Sequence, residues 1–114
     1  MPTNFKENII KIISNIPEGK VMSYGQIAAW MGTPRAAREV GWVLRNIETT
    51  VRLPWWRVVN NKGIISIEGN KFHNKISQKN LLEQEGLKIN DDLSFDIEAY
   101  RFSPPLSFIE ELLK

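Results

Sequence analysis

The sequence predicts a mainly α-helical, winged helix-turn-helix-like domain with a short β-hairpin. Two short helical segments separated by a three-residue turn are the signature of a helix-turn-helix. A turn-forming stretch between two runs of β-branched residues predicts the hairpin, or wing. With 114 residues, the chain is long enough for one modest hydrophobic core, so we expect residues 1–114 to form a single domain.

The first predicted helix runs from about Asn4 to Asn15, with Thr3 as its N-cap. Pro17-Glu18-Gly19 ends it, because proline and glycine both interrupt helical structure. Its apolar residues recur at the spacing of one helix face and are Phe5, Ile9, Ile12, Ile13 and Ile16.

The second and third helices form the predicted helix-turn-helix. Ser23 and Gln26 have the spacing of a capping box, so the second helix is expected from Tyr24 to Met31. Gly32-Thr33-Pro34 supplies the turn. Its threonine is expected to cap the third helix and its proline to occupy the first helical position, so that this helix runs to about Arg45.

The hairpin is predicted beyond the third helix, where Arg57-Val58-Val59 and Ile64-Ile65-Ser66-Ile67 flank Asn60-Asn61-Lys62-Gly63. Asparagine and glycine in the central stretch favour a turn.

The last part of the chain predicts two more helices. One spans about Ile76 to Gln84, and Gly86 suits the left-handed position that follows a helix end. Residues 91–105 are expected to be irregular, and Leu106 to Leu113 to form a short terminal helix.

The net charge of +2 conceals an asymmetry along the chain. Residues 17–62 carry seven basic and three acidic residues, a net +4, whereas residues 63–114 carry six basic and nine acidic residues, a net −3. The basic half is rich in arginine, namely Arg35, Arg38, Arg45, Arg52 and Arg57. A basic face beside a helix-turn-helix indicates a surface that tracks phosphates, the alternative being a solvated helix face.

Composition excludes several classes of function. The chain has no cysteine, which excludes disulfides, a thiolate nucleophile and sulfur metal ligands. His73 is its single histidine, so neither a metal cluster nor a cofactor is expected. No apolar run approaches the ~20 residues of a membrane span, and the N-terminus lacks the features of a secretory signal. We therefore expect a cytoplasmic protein without a membrane partner.

The third predicted helix carries small residues around one arginine. Ala36, Ala37 and Gly41 would let its backbone approach a minor groove, which is too narrow for bulky side chains. Arg38 lies among them and is positioned to enter the base stack as a wedge. The alternative from helical spacing places the two alanines and Val40 in the core, with Arg38 as a surface charge.

Four motifs that follow one another along the chain carry a resemblance. They are Ile16-Pro17-x-Gly19-x-Val21-x-Ser23-Tyr24-Gly25-x-Ile27-Ala28, Gly32-x-Pro34-Arg35-Ala36-Ala37-Arg38-x-Val40-Gly41, Leu53-Pro54-x-x-Arg57-Val58-Val59 and Leu81-Leu82-x-x-Glu85-Gly86. Together they resemble the DNA-binding domain of the O6-alkylguanine-DNA alkyltransferases over roughly residues 5–87. In the active enzymes Cys-His-Arg follows the proline. The cysteine takes the alkyl group, and the histidine relays its proton toward a glutamate that matches Glu85.

Trp55 stands at the cysteine position, which is the hallmark of the alkyltransferase-like proteins that this sequence resembles most closely. Indole has no nucleophilic heteroatom with a usable pKa, so no alkyl transfer and no catalytic residue are expected. The resemblance implies binding of O6-alkylguanine in duplex DNA, flipping of the damaged base through the minor groove, and marking of the site for nucleotide excision repair. The implied partners are lesion-containing DNA and excision-repair proteins, and one helix with one pocket needs no dimer.

The resemblance also implies roles for individual residues. Tyr24 matches the tyrosine that rotates the 3′ phosphate, and Arg38 matches the arginine that fills the vacated space in the stack. Asn46 resembles the asparagine that braces the active-site turn. The groove-facing small residues are matched by Ala36, Ala37 and Gly41. The lesion pocket is matched by Pro54, Trp55, Trp56 and Arg57, together with Tyr24.

Two departures from the family pattern affect these expectations. Trp56 replaces the relay histidine, so Glu85 is expected to be a plain charge at a helix end, and Arg57 to be either a pocket residue or a structural ion-pair partner. Trp42 follows Gly41 where the family usually has a smaller or polar residue. Facing the groove it would obstruct close approach to DNA, and facing inward it would belong to the core, which is the orientation we expect.

An alternative function is a winged-helix regulator of undamaged DNA. A helix that reads bases in the major groove usually carries several Asn, Gln, Arg or Lys residues. The predicted helix instead offers alanine and glycine around Arg38. An enzyme with another nucleophile is poorly supported, because Ser23, Tyr24 and His73 form no recognisable triad.

Overall fold

The computed structural model describes residues 5–47, 52–66 and 74–114, and in these ranges it contains six α-helices around a two-stranded sheet. The helices are α1 (Phe5–Ser14), α2 (Tyr24–Trp30), α3 (Ala37–Arg45), α4 (Lys75–Gln84), α5 (Ile97–Tyr100) and α6 (Leu106–Leu112). The strands are β1 (Met22–Ser23) and β2 (Val58–Val59), and a single 3-10 turn, Trp55–Arg57, precedes β2. The helix-rich architecture is the one predicted; Thr3 and Asn4, where the first cap was predicted, lie outside the described residues.

The start of α2 follows the sequence prediction. Ser23 Oγ accepts a hydrogen bond from the Gln26 N–H at 3.0 Å, and Gln26 Oε1 accepts one from the Ser23 N–H at 3.3 Å, so the capping box is confirmed. The side chain of Gln26 also donates to the Phe102 carbonyl. The entry to α2 is therefore fixed both locally and by the C-terminal segment.

The predicted start of α3 was wrong by three residues. Pro34 and Arg35 lie in the turn, and the helix begins at Ala37 without a side-chain cap. The Thr33 hydroxyl donates to the Ala28 carbonyl at 3.3 Å, so it closes the end of α2 and does not cap α3. A hydroxyl in a three-residue turn lies within reach of either helix, and here it serves the preceding one.

The predicted hairpin was also wrong, although its turn is present. Asn60 Oδ1 accepts hydrogen bonds from the Lys62 and Ile64 N–H groups at 3.0 Å each. The segment after the turn does not pair with β2. Ile65 donates instead to the Leu93 carbonyl at 2.9 Å, and Ile67 lies outside the described residues.

The partner of β2 is β1, and the two run parallel with Met22 opposite Val58 and Ser23 opposite Val59. All four residues are buried. The pairing of β2 with β1 therefore follows from their common burial in the domain, and not from the short turn at residues 60–63 that would have made a hairpin.

The later elements agree in part with prediction. Asn74 caps α4 through its side chain, which accepts from the Ser77 N–H at 2.9 Å. Gly86 has a φ of +99° after the helix end, as predicted. The segment 91–105, predicted to be irregular, contains α5. The predicted terminal helix is α6, which packs on α1 and buries Ile109. Within the described parts of the chain, no helix has the length and apolar character needed to cross a membrane.

Two hydrophobic clusters form the core. The first joins α1, α2 and α3 and includes Trp55, and the second joins β2, the end of α4 and the C-terminal segment. Trp56 packs against both clusters. The adjacent tryptophans therefore lie where the helix-turn-helix meets the rest of the domain.

Candidate nucleic-acid interface

An open groove of about 550 Å³ runs along the outer face of α3. It is lined by Tyr24, Ala37, Arg38, Gly41, Trp42, Arg45 and Ser66. Four of the residues predicted to contact or flip DNA, which lie on α2 and α3, therefore meet on one surface.

Tyr24 forms one wall of this groove, and its ring lies against the backbone of α3 at Gly41. A Cβ atom at Gly41 would stand 3.7 Å from Tyr24 Cε1, an ordinary van der Waals distance. Burial raises the pKa of the Tyr24 phenol above its ordinary value, and the positive charge of Arg45 offsets only part of that rise. The phenol is therefore protonated at neutral pH and can donate a hydrogen bond to an anionic acceptor.

Arg38 and Arg45 supply the positive charge of the groove. Both are exposed, and neither has an acidic ion-pair partner within residues 5–47, 52–66 and 74–114. The opposite face of α3 buries Val40, Val43 and Leu44 in the first core cluster. The helix therefore presents unpaired guanidinium groups on the face that is free to meet an anionic partner.

The predicted arginine-rich face is smaller than expected. Arg35 lies beside a separate shallow groove with Pro34 and Glu39, and Arg57 points inward into an ion pair. The groove on α3 itself therefore holds two of the five arginines.

Ala36 lies apart from the groove that Ala37 and Gly41 line. It is the N-cap residue of α3, packs against the first core cluster and lines the second groove with Thr33 and Pro34. Because α3 begins only at Ala37, Ala36 precedes the helix and does not share the groove of Ala37 and Gly41. Ala36 is half-buried, and its contact with DNA stays a prediction.

The prediction that Trp42 faces the core was wrong. Its side chain is 59% exposed and lines the groove between Arg38 and Arg45. Trp42 is two residues from both Val40 and Leu44, which places it on the opposite side of the helix from these buried residues.

The Pro54–Arg57 segment forms a compact aromatic corner on the 3-10 turn. Trp55 is only 8% exposed and belongs to the first core cluster, against which Tyr24 also packs. The rings of Trp55 and Trp56 meet edge to face, with centroids 6.0 Å apart at 88°. The tryptophan at the alkyl-acceptor position is thus packed into the core of the domain.

Glu85, predicted to be a plain charge at a helix end, is the centre of a buried hydrogen-bond network. Its carboxylate pairs with Arg57 Nη2 at 2.7 Å and Nε at 3.0 and 3.1 Å. It also accepts from Trp56 Nε1 at 2.7 Å and from the Gly19 N–H at 2.9 Å. The side chain of Glu85 is 7% exposed and that of Arg57 is 15% exposed. The prediction for Glu85 was therefore wrong, and Arg57 is an ion-pair partner.

This network joins three separate parts of the chain. Arg57 Nη1 donates to the Ile16 carbonyl at 2.8 Å, beside the turn that holds Gly19. The Arg57 guanidinium carbon also lies 5.4 Å from the centroid of the Trp56 ring. The end of α1, the aromatic corner and the end of α4 are thus held together through one carboxylate.

The protonation of Glu85 reflects these contacts. Burial favours the neutral carboxyl, but the hydrogen bonds from Arg57, the Gly19 N–H and Trp56, together with the charge of Arg57, outweigh it and hold the pKa of Glu85 below its usual value. The carboxylate is therefore charged at neutral pH and acts as an acceptor.

Trp56 explains how this site keeps its shape with tryptophan in place of histidine. An imidazole can accept a proton at one nitrogen and give one up at the other, whereas an indole N–H only donates a hydrogen bond. Trp56 thus keeps a hydrogen bond to Glu85 but removes the relay. A proton has no path through this side chain.

We expect Trp56→Phe to lower the free energy of unfolding by about 1.5 kcal/mol, because it removes one hydrogen bond to a buried charge. Urea unfolding at pH 7 measures the loss. Trp42→Phe is the matched control, since the same substitution at an exposed site should stay within about 0.5 kcal/mol of the wild type. Equal losses in the two variants contradict the hydrogen-bonding role of Trp56.

Gln78 is a positioning residue that the sequence analysis missed. It is 1% exposed, and its Nε2 donates to the carbonyls of Trp56 at 3.1 Å and Val58 at 2.9 Å. The available signal was a glutamine four residues before Leu82, on the buried face of α4.

Asn46 donates to the Trp42 carbonyl at 2.8 Å at the end of its own helix, next to residues outside the described ranges. His73 also lies outside them. In the described ranges, no group of three or more metal-ligating side chains is present.

Comparison with known proteins identifies the family. The profile described as 6-O-methylguanine DNA methyltransferase, DNA binding domain, matches residues 4–87. The DNA base-flipping protein of Escherichia coli (strain K12) is 38% identical over 100 residues, which cover 88% of this chain and 75% of that protein. Alkyltransferase-like protein 1 of Schizosaccharomyces pombe is 36% identical over 85 residues, which cover 75% of this chain and 78% of that one.

Solved structures agree with these matches. The crystal structure of Schizosaccharomyces pombe Atl1 in complex with damaged DNA containing O6-carboxymethylguanine superposes with a TM-score of 0.81 at 30% identity, covering 91% of this chain and 99% of that one. Mycobacterium tuberculosis OGT in complex with DNA gives a TM-score of 0.62 at 32% identity, covering 75% of this chain and 51% of that one. The predicted alkyltransferase DNA-binding domain fold is confirmed.

No cysteine occurs anywhere in the sequence, so the alkyl acceptor of the methyltransferases is absent. The chain therefore belongs to the 6-O-methylguanine DNA methyltransferase DNA-binding domain family and, within it, to the alkyltransferase-like proteins that lack this acceptor.

Proposed function

We propose that this protein binds O6-alkylguanine in duplex DNA through α3 and flips the damaged base without repairing it. The observation that carries the proposal is the groove in which Tyr24, Arg38 and Gly41 meet, in a chain with no alkyl acceptor. Tyr24 would press on a backbone phosphate, and Arg38 would occupy the space that the flipped base leaves. A small residue at position 41 lets both approach the minor groove.

We propose that the extruded base is received beside the aromatic corner. Trp55 places a rigid, largely buried ring at the position where the active enzymes carry their nucleophile, and Glu85 and Arg57 hold the neighbouring Trp56 in place. Flipping costs a few kcal/mol, and less for a damaged, poorly paired base. Stacking and burial of the alkylated base against this wall would offset that cost.

The bound lesion would then need other proteins for its removal. We propose nucleotide excision repair as that route, because the chain itself offers no thiolate to take the alkyl group. We also propose that the protein acts as a monomer, since one groove and one aromatic corner suffice for one lesion. Light scattering of the free and DNA-bound protein tests the monomer.

We expect the protein to bind a duplex with one O6-methylguanine more tightly than the same duplex with guanine, and to leave the alkyl group on the DNA. A competition assay at fixed salt measures the preference, because salt alone changes DNA affinity steeply. Mass spectrometry of the recovered DNA measures the alkyl group. Equal affinity for the two duplexes, or loss of the methyl group, overturns the proposal.

A regulator of undamaged DNA is a weaker candidate. Ala37 and Gly41 face the groove without any hydrogen-bonding side chain, so α3 has little with which to read base edges. The same competition assay separates the two functions, because a regulator of undamaged DNA would not prefer the lesion duplex over the same duplex with guanine.

A further inference from the structure

Trp42 has no role in the proposed function, although it is the most exposed tryptophan in the described parts of the chain. Its side chain is 59% exposed, whereas Trp55 is 8% exposed. A large aromatic ring exposed on a helix offers apolar and π surface that a partner can cover. The core does not need it, since Val40, Val43 and Leu44 already bury the inner face of α3.

The surroundings of Trp42 indicate the kind of partner. It lies four residues after Arg38 and three before Arg45, so the three side chains follow one face of the helix. All three line the same groove. An aromatic ring between two unpaired guanidinium groups combines a stacking surface with phosphate-binding charge, as in proteins that bind exposed nucleobases.

The size of the ring restricts the DNA that it can meet. An undistorted minor groove is about 6 Å wide and excludes an indole. DNA that has been kinked or partly unstacked opens its groove and exposes base faces to inserted side chains. Trp42 therefore fits distorted DNA and gains no stacking contact in the regular duplex.

We propose that Trp42 is a second stacking contact of α3, which meets a nucleobase about 6 Å along the helix axis from Arg38 and makes binding selective for distorted DNA. This inference rests on the proposed function, because it assumes that α3 faces the minor groove. Trp42 would then contribute to the preference for lesion-containing over undamaged duplex, which the small residues of α3 do not provide.

The test compares Trp42→Ala, Trp42→Phe and Trp42→Leu in binding to duplexes with O6-methylguanine or guanine. Leu106→Ala is the matched control, because Leu106 is 58% exposed and lies on α6, outside the groove. We expect Trp42→Ala to weaken binding to the lesion duplex about tenfold and to leave the guanine duplex within about twofold of wild type. Phenylalanine should restore most of the loss, and leucine should not.

Tryptophan fluorescence gives a second readout. The exposed Trp42 should be quenched by acrylamide in the free protein and protected in the complex with the lesion duplex. The Trp42→Phe variant should lose most of this DNA-dependent change. Thermal unfolding of each variant confirms that the exposed substitutions leave the fold intact.

The outcomes separate the two proposals. A wild-type protein that does not distinguish the two duplexes overturns the proposed function. A wild type that prefers the lesion while Trp42→Ala keeps the same preference overturns only the role of Trp42. Tighter binding by Trp42→Ala, or equal rescue by leucine and phenylalanine, likewise contradicts aromatic stacking.

Discussion

Replacing Glu85 by alanine is expected to lower the free energy of unfolding by about 3 kcal/mol at pH 7, because it leaves the largely buried Arg57 guanidinium without its counter-charge. The substitution also removes the acceptors for Trp56 Nε1 and the Gly19 N–H. A domain of this size has a total stability of about 5–15 kcal/mol, so the loss is a large fraction of it. The shift of the urea midpoint at unchanged slope measures it.

Two further variants separate charge from packing. Glu85→Gln keeps an oxygen that can accept from Gly19 and Arg57, so its loss should be about half that of the alanine variant. Glu83→Ala removes an exposed carboxylate of the same helix and should change stability by less than about 0.5 kcal/mol. If Glu83→Ala and Glu85→Ala are equally destabilised, the network does not stabilise the domain.

The pH dependence of this loss follows from the lowered pKa of Glu85. A carboxyl whose folded-state pKa is depressed contributes stability that is complete above the unfolded value of about 4.5 and disappears as the pH falls through the folded value. The difference between wild type and Glu85→Gln should therefore be constant from pH 7 to pH 5 and shrink below it. A difference that persists unchanged at pH 3 contradicts the assignment.

Sequence alone predicted those features whose partners lie close along the chain. The capping box needs only Ser23 and Gln26, three residues apart, and both hydrogen bonds are present. The left-handed conformation of Gly86 likewise follows from its position after a helix end. Trp42 was within reach of the same reasoning, because its spacing from Val40 and Leu44 already places it on the outer face of α3.

Features that depend on contacts between residues far apart in the sequence could not be predicted from local patterns. The strand Val58–Val59 pairs with residues 36 positions earlier, whereas local turn chemistry favoured a hairpin. The partners of Glu85 lie 66 residues away at Gly19 and 29 away at Trp56. The loss of a histidine suggested an orphaned carboxylate, but the folded chain supplies an indole N–H in the same place.

Retention of this network bears on function as well as stability. The alkyl acceptor is absent and the relay histidine is replaced, yet the carboxylate and the arginine are still bonded to each other. Their remaining task is to hold the aromatic corner rigid against α1. The chain therefore keeps a rigid aromatic corner, while the thiolate that would take an alkyl group is absent.

Arg38→Ala is expected to weaken binding to the O6-methylguanine duplex by roughly 30-fold at fixed salt. Arg38 would fill the gap in the base stack, and losing that contact makes the flipped state less favourable by about 2 kcal/mol out of the few that flipping costs. Competition binding with lesion and guanine duplexes measures the change. The guanine duplex should be affected much less, because its base remains stacked.

Arg45→Ala separates this wedge from a phosphate contact in the same groove. Arg45 is exposed and unpaired in the described part of the chain, as Arg38 is, so its truncation should lower the slope of log affinity against log salt by roughly one unit. Arg38→Lys should keep the salt slope but recover little affinity, because an ammonium lacks the planar guanidinium that stacks between bases. If Arg38→Ala changes only the slope, as Arg45→Ala does, then Arg38 is a phosphate contact and base flipping depends on Tyr24 and another residue of the groove.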